Sequence, residues 1–147
     1  MIAAQHELSV LRGELETLGV AEELGLASLN RTPLAMGLLS GRYRPEALPA
    51  ADDVRRNAPW WDFFDDVAME RWLERIADAR AELTADGRTL AQGALGWIWG
   101  RSEATFPIPG FRTVAQVEEN VGAAEHGPLP PERMERVRAI LGEPVPA

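Results

Sequence analysis

The sequence predicts an α/β fold of parallel strands joined by helical crossovers. Three observations lead there. Short apolar runs alternate with segments of helical period. Two helix starts carry a Thr-x-x-Gln capping box, Thr89 to Gln92 and Thr113 to Gln116. Gly25 and the pair Pro130-Pro131 stand where one helix ends and another begins. The resulting order is β-α-β-(loop)-α-α-β-α-α, and alternation of this kind implies parallel pairing.

Taken in order, Ile2 to Val10 reads as a strand. Leu15, Leu18 and Ala21 then recur at helical spacing, with Gly25 at the helix end. Leu26 to Asn30 is a second strand, followed by a small-residue turn from Arg31 to Gly41. Residues 44–64 form a long loop holding Pro45, Pro49, Pro59, the pair Asp52-Asp53 and the pair Arg55-Arg56. Loops of this length are functional or disordered, and the cluster Trp60, Trp61, Phe63 and Phe64 argues against disorder. A long helix carries Met69, Leu73, Ile76, Ala77 and Leu83 on one stripe. The helix after Thr89 turns Leu90, Ala94, Leu95 and Ile98 inward. Thr105 to Ile108 is a third strand. The helix after Thr113 points Val117 and Val121 inward, and the terminal helix carries Met134, Val137 and Leu141.

Composition removes several chemistries. The 147 residues include 15 Lys+Arg against 23 Asp+Glu, a net charge of −8. Every basic residue is Arg, so no Walker A loop, Schiff-base lysine or catalytic lysine exists in these residues. The absence of Cys removes disulfides, thiol nucleophiles and cysteine metal sites. The acidic balance argues against nucleic acid as a partner. No apolar run approaches the roughly 18 residues of a membrane span, and the opening residues lack a signal peptide's basic region. The expectation is a cytoplasmic protein without a membrane partner.

In parallel α/β folds, function collects at the carboxyl ends of strands. The third strand ends at Pro109-Gly110-Phe111-Arg112, immediately before a capped helix. That helix start offers free N–H groups, Gly110 allows close approach, and Arg112 adds a fork of donors. The segment reads either as a phosphate-monoester pocket or as a capped helix with a solvent-facing Arg. The second strand end, with Gly37, Gly41, Arg31 and Arg42, reads as a pyrophosphate cradle or as a tight turn with surface arginines. Gln5 either bonds a carboxamide or satisfies buried backbone. His6 and His126 lack metal-ligand spacing and read as surface or loop residues. Adjacent carboxylates such as Asp52-Asp53 point apart and make no acid/base dyad. Trp60 and Trp61 line a substrate mouth or plug the loop.

Four segments resemble the aldo/keto reductase family, in family order. Pro33-Leu34-Ala35-Met36-Gly37-Leu38-Leu39-Ser40-Gly41-Arg42-Tyr43 resembles its SPLxxGLLTGKY segment. Thr89 to Trp97 resembles its TPAQLALAW helix. Pro107 to Arg112, with Glu119-Asn120, resembles its IPIPGTR…EN cofactor motif. Gln5 to Ser9 resembles its Q.EYS strand. The resemblance implies a partial TIM (β/α)8 barrel, made of the last three strand–helix units plus a C-terminal helix. A complete barrel needs about 250 residues. Residues 1–147 would then be a single incomplete domain, the C-terminal part of a barrel.

The resemblance also implies NADP(H) as cofactor. Gln5 would bind the nicotinamide carboxamide. Arg31 stands where many members place an aromatic that stacks on nicotinamide. Thr32, Pro33, Leu34, Gly37 and Arg42 would line the pyrophosphate. Gly110, Phe111, Arg112 and Gln116 would hold the 2′-phosphate end, and Glu119 and Asn120 the adenine. The family's Asp, Tyr, Lys and His tetrad belongs to its N-terminal half, and none of those motif positions occurs here. No catalytic residue is therefore expected in this chain, and a small carbonyl substrate is expected only in a completed barrel. The alternative is a non-catalytic binding or assembly module, or a truncated gene product, of the same descent. Self-association through open strand edges is expected, with Ile2, Leu29 and Ile108 losing an opposing barrel layer.

Overall fold

A computed structural model describes residues 1–44, 50, 52–57, 64 and 66–146, the side chains of Arg56, Asn57 and Asp66 excepted. Three parallel strands, β1 (Ala3–Glu7), β2 (Ala27–Arg31) and β3 (Thr105–Pro107), pair in the order β1-β2-β3. Gln5 lies opposite Leu29, which lies opposite Phe106. His6 lies opposite Asn30, which lies opposite Pro107. Helix α1 (Leu15–Glu23) makes the first crossover. Helices α2 (Asp66–Leu83) and α3 (Leu90–Arg101) make the second, and α4 (Val114–His126) and α5 (Pro131–Leu141) follow β3. This is the α/β arrangement expected from the sequence, an arc of three strand–helix units.

β1 is shorter than the apolar pattern suggested. The Ser9 hydroxyl accepts the N–H groups of Leu11 and Arg12, and Ser9 N–H donates to the Arg12 carbonyl at 2.8 Å. That local network folds residues 8–12 into a turn. Leu8, Val10 and Leu11 therefore enter the core from a turn. β3 stops at Pro107, whose nitrogen cannot donate to the ladder. Ile108 N–H still reaches the Asn30 carbonyl at 3.0 Å.

The two faces of the sheet differ. His6, Ser28, Asn30 and Thr105 face the helices and are essentially inaccessible. His6 is thus a buried residue, and its expected place on the surface is corrected. Its Nε2 lies 2.7 Å from Ser28 Oγ and 3.3 Å from Asn30 Nδ2. The opposite face carries Gln5, Leu29 and Phe106 and is open. Ile108 shares that parity and is half-exposed. Ile2 lies outside β1 and shares the parity of His6, so it does not belong to the open face.

The core sits in the helical layer. Met69, Leu73, Ile76, Ala79 and Leu83 of α2 meet Leu90, Ala94, Trp97 and Ile98 of α3, with Val137 and Leu141 of α5. Ala79, not the expected Ala77, completes the α2 stripe. α3 is buried nearly all round because its glycines admit close neighbours. A Cβ on Gly93 would lie 1.9 Å from the Leu83 carbonyl oxygen. The buried Arg88 caps the far end of α4, donating to the carbonyls of Gly127 at 2.8 Å and His126 at 3.0 Å.

Helix α4 departs from expectation at two points. Val121 is exposed, and Ala123 is the buried residue instead. Thr113 accepts the Gln116 N–H at 3.3 Å, as a cap should. The Gln116 side chain, however, accepts from Arg112 N–H at 2.7 Å, so this box is half closed. Beyond α5, Val145 exchanges backbone hydrogen bonds with the 8–13 turn, donating to Leu11 O at 3.0 Å and accepting from Gly13 N–H at 2.9 Å.

Candidate functional site

The carboxyl end of β2 is bent by unusual backbone. Thr32, Ala35 and Met36 have φ of 54°, 46° and 54°, and Gly37 has φ 103°. Left-handed conformations at non-glycine residues cost roughly 1–3 kcal/mol each and collect at ligand sites. Here they curl Ala35–Ser40 into a 3-10 segment whose Ala35, Leu38 and Leu39 anchor in the core. Gly37 faces the opening, where an added Cβ would meet Arg55 and Tyr43 at 3.5 Å each.

The carboxyl end of β3 supplies the other wall. Pro109 and Gly110 carry the chain into the first turn of α4, where Thr113 caps the Gln116 N–H and its carbonyl takes that of Val117. Apart from its chain neighbours, no described atom lies within 4 Å of a Cβ built on Gly110, so the backbone there is approachable. One turn further along α4, Gln116, Glu119 and Asn120 share a face. The Gln92 side chain fixes that face to α3. Its Oε1 accepts from Thr89 N–H at 2.9 Å, completing the capping box of α3, while its Nε2 donates to the Glu119 carbonyl at 3.1 Å.

Between these walls lies a cleft of about 470 Å³, a normal size for a small-molecule site. Most of the expected positions line it. Thr32, Pro33, Leu34, Gly37 and Arg42 come from the β2 side, and Gly110, Phe111, Arg112, Gln116, Glu119 and Asn120 from the α4 side. Gln5 and Arg31 are not in the lining. Gln5 projects from the open sheet face. Arg31 is tied to Glu7 at 3.0 Å and Glu14 at 3.3 Å, beside the mouth of the cleft.

The electrostatics of the cleft are unbalanced. Arg42 and Arg112 form no ion pair among the described residues. Arg42 only stacks on the Tyr43 ring, 5.7 Å from its centroid. The buried amide Nδ2 of Asn120 has no hydrogen-bond partner among the described residues. Two guanidinium groups without an ion pair among the described residues, a helix start and an amide donor without a partner among those residues suit an elongated ligand with phosphates at one end and a polar ring at the other. NADP(H) has that chemistry, and these residues fit it.

Sequence reasoning missed Met36, Ser40, Tyr43, Val54, Arg55 and Ala91 in the lining. Arg55 is the most consequential. Its Nη1 donates to the Met36 carbonyl at 3.0 Å, and its Nε to Asp53 Oδ1 at 2.7 Å, with a second contact from Nη2 to Oδ2. Its guanidinium lies 5.2 Å from the Tyr43 ring and 5.3 Å from the Phe64 ring. Bonding to Arg55 holds the Asp53 carboxyl well below the usual range. Asp53 therefore works as the partner of a clamp. Only the nearness of the Asp and Arg pairs hinted at it. The aromatic positions Trp60, Trp61 and Phe63 lie outside the described residues.

Among the described residues, no group of His, Asp and Glu is placed to hold a metal ion. No helix among them is long and apolar enough to cross a membrane.

The sequence profile of the aldo/keto reductase family matches residues 1–142. The chain is 31% identical to the chloroplastic pyridoxal reductase of Arabidopsis thaliana over 127 residues, covering 84% of this chain and 32% of that protein. It is 31% identical to the aldo-keto reductase yakc [NADP(+)] of Schizosaccharomyces pombe over 120 residues, covering 79% of this chain and 33% of that one. The holo form of aldo-keto reductase AKR11C1 from Bacillus halodurans superposes on it with a TM-score of 0.69 at 23% identity, over 99% of this chain and 44% of that one. The chain thus spans about a third of the curated relatives' length, and the match to the solved structure supports a partial barrel fold.

Proposed function

Since this chain belongs to the aldo/keto reductase family, we propose that it is the cofactor-binding portion of an NADP(H)-dependent carbonyl reductase. The observation that carries this reading is one cleft holding two guanidinium groups with no ion pair among the described residues, beside an Asn120 amide with no hydrogen-bond partner among them. Arg112, Gly110, Phe111, Gln116 and the first turn of α4 bind the 2′-phosphate end. Thr32, Pro33, Leu34, Gly37 and Arg42 line the pyrophosphate, with Arg55 holding the Met36 carbonyl of the same bend. Glu119 and Asn120 flank the adenine. Gln5 and Arg31 lie on the side where the nicotinamide would rest against the open sheet face. When bound, the cofactor supplies hydride to a carbonyl carbon in a completed barrel.

The residues present orient the cofactor and do not supply the proton. The one tyrosine, Tyr43, is buried and packs edge-on against Phe64 at 6.0 Å. Its ring lines the cleft while its hydroxyl is buried. Positioned proton transfer contributes roughly 10²–10⁴-fold. The chain by itself is therefore expected to bind NADPH without reducing carbonyls. Cofactor fluorescence titration, followed by an aldehyde panel with NADPH oxidation as readout, tests both halves. Turnover above a protein-free control would overturn the assignment of the proton donor to residues outside this chain. The absence of saturable NADPH binding would count against the cleft.

The second reading, a non-catalytic binding or assembly module of the same family, rests on the same lack of a proton donor. It predicts NADPH binding that persists, still without turnover, when the complementary part of a reductase barrel is supplied.

A further inference from the structure

His6, Ser28 and Asn30 are sealed between the sheet and the helices, none more than 1% exposed, and the proposed cofactor site uses none of their side chains. Their hydrogen bonds fix the role of each atom. His6 Nδ1 lies 3.2 Å from the Glu7 carbonyl oxygen, which can only accept, so Nδ1 carries the ring hydrogen. In the neutral ring Nε2 is therefore an acceptor. It takes the Ser28 hydroxyl at 2.7 Å and faces the Asn30 amide nitrogen Nδ2 at 3.3 Å. Nδ2 also donates to Ser28 Oγ at 2.8 Å. With the ring neutral, every side-chain donor of the three residues is used. The atom left over is Asn30 Oδ1, buried without a hydrogen-bond partner among the described residues.

Protonation reverses the fit. A hydrogen on Nε2 meets the hydrogens of Nδ2, and the Ser28 hydroxyl must turn away. Turning the Asn30 amide over brings Oδ1 to the ring, but leaves Nδ2 without an acceptor where Oδ1 stood. Either way the acid form holds a buried cation and a buried unsatisfied donor, and entry of water relieves both. Opening here breaks a joint of the cleft. The Asn30 carbonyl accepts the Ile108 N–H at 3.0 Å. Ile108 runs into Pro109 and Gly110 on one wall, and Asn30 runs through Arg31 into the Thr32 bend on the other.

We infer that Asn30 is a positioning residue joining the two walls of the cleft, and that His6 operates it as a pH switch, closed while the ring is neutral and opened when the ring takes a proton. The switch belongs to the frame of the cleft and holds whether or not its ligand is NADP(H). The charges acting on the ring are Glu14, just before α1, and Arg31, at the end of β2. They pair with each other at 3.3 Å, and the Glu7 carboxylate holds Arg31 at 3.0 Å and lies 3.9 Å from Arg12. Behind the sheet, Glu16, Glu22 and Glu23 of α1 are exposed, Arg101 of α3 pairs with Glu143 at 3.1 Å, and β3 carries no charge. Burial holds the ring's pKa below 6.5, against the Glu7 carbonyl and Glu14, with Arg31 adding to the lowering. The neutral, closed form is thus complete above pH 6.5 and gives way as pH falls below it.

Nitrogen-15 NMR of the full chain, with amide hydrogen exchange from about pH 7.5 to 5, tests the inference. The His6 ring, told apart from that of His126 by its loss in His6→Gln, is expected to carry its hydrogen on Nδ1 alone when neutral. Protection of the Ile108 amide, corrected for the intrinsic pH dependence of exchange, should fall at least tenfold, with the same midpoint as the ring. The Leu129 amide, bonded to the Gly96 carbonyl at 2.7 Å in the helical layer, should keep its protection. In His6→Gln the Ile108 amide should stay level across the range. A neutral ring with its hydrogen on Nε2, a ring still neutral at the acid end, or Ile108 protection that ignores the titration would overturn the inference. So would an equal fall at Leu129, which would mean general unfolding, or an equal fall at Ile108 in His6→Gln.

Discussion

Arg112 forms no ion pair among the described residues, though it feels the Asp53 carboxylate, and it sits at a helix start that favours anions. Its role is a difference between two ligands that differ by one phosphate. Arg112→Ala should weaken NADPH binding by about 10- to 150-fold, the equivalent of roughly 1.5–3 kcal/mol for a hydrogen bond to a charged group, and leave NADH almost unchanged. Parallel titrations with the two cofactors check this, and equal losses would show that Arg112 does not read the 2′-phosphate. His6 makes the opposite kind of prediction. Burial lowers its pKa, partly offset by its bond to the Glu7 carbonyl. The unfolded chain then binds more protons than the folded one below about pH 6.5. The contribution of His6 is fully present above that pH and is lost as pH falls towards the depressed folded value. Urea denaturation from pH 7.5 to 5 should therefore show a shallower loss of stability in His6→Gln than in the parent. Parallel curves would mean that His6 takes up its proton as easily folded as unfolded.

Among the elements, α4 owes its place to its neighbour α3. Gln92 lines neither wall of the cleft, yet one side chain both closes the α3 cap and holds the Glu119 carbonyl. Gly122 makes room for it, since a Cβ there would lie 3.0 Å from Gln92 Nε2. Gln92→Ala should cost about 1–2 kcal/mol of stability for two lost hydrogen bonds. It should also weaken NADPH binding several-fold with its cofactor preference intact, whereas Arg112→Ala changes that preference. A variant that loses stability but binds normally would reduce Gln92 to a cap. The same pair of helices marks what the sequence made legible. The α3 cap could be read because it is a contact within one turn. The α4 cap could only be half read, because Gln116 has a competing donor in Arg112 N–H. Ala79 and Ala123 are buried where Ala77 and Val121 were expected, because helical period fixes a stripe only to within a residue or two, and packing partners choose among its edges. The cleft residues were legible as motif segments. Arg55 was not, because its partners Met36, Tyr43 and Phe64 come from three separate stretches.

At the scale of the whole molecule, the sheet is covered on one side only. Leu29, Phe106 and Ile108 lie on the open face, and among the described residues β1 and β3 each keep one unpaired edge. Parallel sheets are ordinarily covered on both faces, and bare edges template association. The chain is expected to self-associate with rising concentration, and the β1 and β3 amides should exchange faster than those of β2. Light scattering with hydrogen exchange checks this. A monodisperse monomer with strongly protected amides in all three strands would mean that the sheet needs no further partner. The α/β class and the helix order could be read from periodicity. Which side stays bare could not, because the alternation is muted: small and polar residues occupy the helix-facing side.

The bridge from Val145 to the 8–13 turn bears on folding speed. It joins residues that lie near opposite ends of the described chain, and it fastens the turn following the first strand. Closing so large a loop adds entropy cost to any route that forms it early, and non-local contacts of this kind slow folding. During synthesis the first strand and its helix emerge long before their fastener. The turn beside β1 must therefore wait, loosely held, until the segment after α5 has been made.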